Sequence, residues 1–124
     1  MANPNIVNVT QIYGNTSYLI PTSSPTTWTA LTPATSYVNK IDNIVASNVT
    51  GSAATITLSI NNATAGGGTP YRIAYQVTVP PNASVVLIDK TTSIYVGEGQ
   101  SIVATASVTS AIELTSSFEN ITTL

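Results

Sequence analysis

Strict two-residue alternation is the feature that most narrows what this chain can become. In Thr55-Ile56-Thr57-Leu58-Ser59-Ile60 every second side chain is apolar and the others carry hydroxyls. A strand sends successive side chains to opposite faces, so the segment reads as a strand with one face buried. Residues 71–79 repeat the pattern and would place Tyr71, Ile73, Tyr75, Val77 and Val79 on one side. Further strands are expected over residues 6–13, 28–31, 37–47, 85–89, 93–96, 101–108 and 112–118, which are rich in β-branched side chains. No segment sustains an apolar period of about 3.6, so negligible helix is expected. Turn chemistry separates the runs at residues 48–52, 80–82, 97–100 and 61–70. The last of these holds Gly66-Gly67-Gly68 and reads as an exposed, mobile loop. Short strands divided by turns point to an all-β, antiparallel β-sandwich, either jelly-roll or immunoglobulin-like. The 124 residues fit one domain, residues 1–124. Residues 1–14 are set apart as a candidate extended arm, because Gly14 and a proline-bearing link over residues 21–27 follow them.

Composition then removes function classes. Histidine and cysteine are both absent, which excludes the commonest proton shuttle near neutral pH, thiolate metal sites and disulfides. Only 6% of residues are charged, against about 25% in an average domain. Three basic residues, Lys40, Arg72 and Lys90, cannot track a phosphate backbone, so no nucleic acid is expected as a partner. No apolar run reaches the roughly 20 residues of a membrane helix, and no membrane partner is expected. The opening Met1-Ala2-Asn3-Pro4-Asn5 lacks the basic start and apolar stretch of a secretory signal.

The remaining acid–base groups are Asp42, Asp89, Glu98, Glu113 and Glu119. On one continuous strand Glu113 and Glu119 would share a face but lie roughly 20 Å apart, too far for a glycosidase pair. Asp89-Lys90 reads as turn polarity. The triple glycine lacks the lysine and the strand-to-helix setting of a phosphate loop. The Asn-x-Ser/Thr triplets at Asn8, Asn15, Asn48, Asn62, Asn82 and Asn120 follow from a composition rich in those residues. No catalytic residue, metal site or cofactor is expected, and the chain is read as a non-enzyme.

Short polar side chains lose little rotamer freedom on immobilisation, so an uncharged Ser/Thr/Asn surface suits packing against neighbours. The apolar side chains of the arm, Ile6, Val7, Val9, Ile12 and Tyr13, are the expected interface, adding a strand to an exposed sheet edge of a partner. Trp28 is read either as core or as interface. In the interface reading, Trp28 with Tyr13, Tyr18 and Tyr37 would stack on a sugar ring or anchor a protein partner.

The opening Met1-Ala2-Asn3-Pro4-Asn5-Ile6-Val7-Asn8-Val9-Thr10-Gln11-Ile12-Tyr13-Gly14, with Asn43-Ile44-Val45-Ala46-Ser47-Asn48 and Asp89-Lys90-Thr91-Thr92-Ser93-Ile94-Tyr95-Val96-Gly97-Glu98-Gly99-Gln100-Ser101-Ile102, resembles small virion proteins of tailed bacteriophages, those of cyanobacterial phages above all. These are strand-and-turn patterns rather than a chemical signature. Where members of that group often carry Asp before the Ser-Ile of the last turn, this chain has Gln100, and no acidic role is carried over. The resemblance implies a virion structural protein, made in the host cytoplasm and exposed on the particle. Its small size fits a capsid decoration, or cement, protein on the outer surface of the head. The expected partners are the major capsid protein or another virion protein, together with further copies of the chain. The alternative is a tail, neck or fibre component that binds a carbohydrate or receptor.

Overall fold

The computed structural model of the chain describes residues 6–123. Among the described residues there are nine strands: β1 (Gln11–Leu19), β2 (Thr26–Thr27), β3 (Tyr37–Asn48), β4 (Ala54–Asn61), β5 (Pro70–Val79), β6 (Ser84–Ile88), β7 (Ile94–Val96), β8 (Ser101–Ala106) and β9 (Ile112–Thr122). Three single turns of 3-10 helix, at Ile6–Asn8, Thr29–Leu31 and Thr64–Gly66, are the only helical pieces among the described residues.

The strands form two sheets in which every pairing is antiparallel. One runs β1-β9-β3-β6, with β7 also on β3, and the other runs β2-β8-β4-β5. Taking β6 and β7 as one interrupted strand, the chain changes sheet at almost every connection and stays within a sheet only from β4 to β5. That order is a jelly roll, not an immunoglobulin arrangement.

Alternation drives the layering. Ile112, Leu114, Ser116 and Phe118 of β9 point inward with Ile41, Ile44 and Ala46 of β3, and meet Ala54, Ile56 and Leu58 of β4 from the opposing sheet. Ile102, Ala104 and Ala106 of β8 complete the core.

Four sequence expectations change. Residues 6–13 do not form one strand: a helical turn occupies residues 6–8, and β1 runs on to Leu19 because Gln11 to Leu19 pair with Thr122 to Leu114 of β9. Residues 11–14 therefore belong to the sheet and their backbone pairs within the same chain, while residues 1–5 of the expected arm lie outside the described residues. Residues 28–31 are a helical turn whose capping residue is Trp28. On β5 the alternation breaks at two bulges against β4. Gln76 takes a left-handed φ of 49° and its N–H bonds Thr57 Oγ1 at 3.0 Å. Tyr75 is thereby turned outward and exposed, with the Arg72 guanidinium 5.3 Å over its ring, whereas Tyr71 keeps its register opposite Ile60 and is exposed near the end of the strand.

The glycine loop is tied down rather than free. Asn61 Nδ2 donates to the carbonyls of Gly66 and Gly67, and Gly66 N–H donates to Ser101 Oγ. Ser101 Oγ in turn donates to the Ala63 carbonyl, and the Thr69 N–H to Asn62 Oδ1. Together with the Ser59 hydroxyl donating to Asn61 Oδ1 at 2.9 Å, these bonds account for the burial of Ser59, Asn61 and Ser101, polar side chains that would otherwise lose water without compensation.

Candidate functional site

The outward face of the larger sheet is built by register. Tyr18, Thr115, Val45 and Val86 stand opposite one another across β1, β9, β3 and β6. A second row holds Gly14, Glu119, Lys40 and Tyr95 across β1, β9, β3 and β7. Ile12, Ile121 and Val38 make a third, in which Ile12 is exposed and Ile121 and Val38 are buried. An apolar row thus lies on either side of a charged one.

A bulge in β3 between Ile41 and Asn43 adds Asp42 to that middle zone. Lys40 Nζ lies 3.9 Å from Asp42 Oδ1 and 3.8 Å from Glu119 Oε2. Each of the three side chains is about one-third exposed, so the pairs act in a partly aqueous setting. The turn between β6 and β7 brings Asp89 and Lys90 to the rim. The Asp89 carboxylate accepts from Thr91 Oγ1 at 2.6 Å and from the Thr91 N–H at 2.9 Å. The Thr91 hydroxyl, then the Thr91 N–H, hold Asp89 below the ordinary carboxylate range.

Together Lys40, Asp42, Asp89, Lys90 and Glu119 line an open concavity of about 580 Å³, with Val45 and Val86 as its apolar wall. The chain has three basic and five acidic side chains, so five of eight gather at this one place. The remaining three, Arg72, Glu98 and Glu113, lie outside it. Glu113 does share the outward face of β9 with Glu119, at the other end of the strand. Among the described residues no three acidic groups converge closely enough to hold a metal ion. The arrangement can pair with complementary charges and cover exposed Val86, Tyr18, Tyr95 and Ile12, which are 57%, 75%, 46% and 56% exposed.

The residues expected at an interface part company here. Ile12 stands on the outward face, whereas Tyr13 points to the other side of β1 and its hydroxyl donates to Gln11 Oε1 at 2.6 Å. Val7 is exposed and Val9 half-buried. Ile6 opens the first helical turn, and its side chain lies outside the described residues. Trp28 belongs to the core: it is 1% exposed, and its Nε1 donates to Ser17 Oγ at 3.0 Å. A ring so placed offers no stacking surface, which corrects its reading as interface.

Sequence reasoning missed Lys40, Asp42, Glu119, Val45, Val86 and Tyr95 as parts of one face. The scarcity of charge was a usable signal, but Lys40 and Glu119 come together only through the β3–β9 register. Comparison with protein families, curated proteins and solved structures finds no match to this chain.

Proposed function

We propose that the chain is a non-enzymatic structural protein of a bacteriophage particle, a decoration protein that binds the outer surface of the head. The observation that carries this reading is the outward face of the larger sheet. Most of the charge of a charge-poor chain collects there in one concavity between apolar rows. Such a face supports recognition of a protein surface, where apolar area contributes affinity and sparse charges set orientation. The resemblance of the three quoted segments to small phage virion proteins supplies the biological setting. The jelly roll is compatible with it, although the same architecture serves coat domains and lectins alike. The carbohydrate-binding alternative loses its main support with Trp28 in the core.

Particles of the phage that encodes the chain should carry it at a constant ratio to the major capsid protein, as density on the outside of the head. Val86→Asp and Lys40→Glu should leave a folded β-rich protein that no longer binds heads lacking it. Absence from purified particles, or placement on tail or neck alone, would overturn the reading.

A further inference from the structure

The four sheet edges differ in how well they are protected. β5 carries Pro70, Arg72, two bulges and the left-handed Gln76, all devices that discourage strand addition. β2 has two residues, β7 three, and β6 five with a register shift against β3. β1 has none of these protections. It runs nine residues, pairs with β9 without a bulge, and contains neither proline nor charge. Gln11 through Thr16 are exposed on both faces, so this half of the strand projects past the opposing sheet. Among the described residues nothing pairs with its outer edge.

The side-chain pattern of β1 is self-complementary. Two copies placed antiparallel about Asn15 set Ile12 opposite Tyr18 of the other copy, twice by symmetry, and Gly14 opposite Thr16. On the other face Tyr13 meets Ser17 and Gln11 meets Leu19. An aliphatic–aromatic cross-strand pair is favourable, and here it would cover two of the most exposed apolar side chains of the outward face.

Charge permits the approach. The nearest charged residue on β9, Glu119, sits opposite Gly14 and is paired with Lys40. Its counterpart in the second copy would lie about three strand spacings away, roughly 14 Å, beyond the screening length at physiological salt. A nine-residue ribbon from each copy removes on the order of 1,000 Å² in total, about the floor for a specific interface.

We propose that β1 is a self-association edge: two copies of the chain pair β1 to β1 antiparallel, centred on Asn15, and join their larger sheets into one continuous sheet. This does not rest on the virion reading, because the test uses the isolated protein alone. Sedimentation at ~100 μM, where even a micromolar association is nearly complete, should give a dimer. Ile12→Lys or Tyr18→Glu should each weaken it about tenfold, and the double variant should recover most of the loss through Lys–Glu pairs that form only between copies. In this cysteine-free chain, Asn15→Cys should oxidise to a covalent dimer, since facing residues lie roughly 5 Å apart at Cα. Tyr13→Cys should stay reduced, its copies being offset by four residues, about 13 Å. A monomeric protein, a dimer that Asn15→Cys fails to link, or a double variant no tighter than the single ones would each overturn the proposal. The cysteine variants remain informative if a charged variant fails to fold.

Discussion

Ser17 and Trp28 show how a single polar atom is managed in an apolar setting. The indole is buried, yet its N–H reaches Ser17 Oγ at 3.0 Å, so the largest side chain of the core keeps its one donor satisfied. Trp28→Ala should cost about 3–5 kcal/mol through the cavity it leaves. Ser17→Ala should cost about 1–3 kcal/mol, because the indole N–H would lose its partner without regaining water. Urea unfolding of both variants checks the ranking; a Ser17→Ala protein as stable as the parent would mean the N–H finds another acceptor. At the turn between β6 and β7, Asp89 is fully exposed but held ionised by Thr91. Because its folded value is lowered, its contribution is complete above the ordinary carboxylate range and is lost as pH falls through the lowered one. Asp89→Asn should therefore melt below the parent at neutral pH, and the gap should close in acid. A gap that persists in strong acid would remove the carboxylate from the explanation.

At the scale of elements, strands whose side chains alternate over a continuous run were legible in the sequence, and those shaped by neighbours were not. Residues 55–60 advertise β4 by period alone, whereas residues 37–47 advertise β3 by β-branched content, the bulge at Asp42 breaking their alternation. The middle of β1, Gly14-Asn15-Thr16-Ser17, carries little strand signal of its own and is extended because β9 lies beside it. Tyr75 was assigned to the wrong face because one left-handed residue, Gln76, resets the parity of everything around it. The charged concavity was not legible at all, since it needs the register of strands far apart in the chain. The glycine loop was recognised as a loop, but its rigidity depends on Asn61 and Ser101. There Gly66 has a φ of 77°, and a Cβ on it would run into Thr27 Oγ1. Gly66→Ala should destabilise by more than about 1 kcal/mol, and amide exchange should rise across residues 61–69. Unchanged protection there would show that the loop tolerates the methyl group by shifting.

The whole molecule is joined by pairings that run between the two ends of the chain: Gln11 faces Thr122, and β9 lies between β1 and β3 in the larger sheet. Contacts so distant in sequence slow folding, because loop closure precedes any gain from pairing. Refolding from urea should therefore take milliseconds to seconds, as for other non-local β proteins. A microsecond phase carrying the full amplitude would contradict this. Truncation before Ile112 should leave no stable core, since β1 and β3 then have nothing between them. The same placement reaches into biosynthesis. While the ribosome still holds β9 in its exit tunnel, the emerged chain cannot close its larger sheet. Its apolar strands must wait, unpaired and open to chaperones or to other nascent chains, until the last residues of that strand are released.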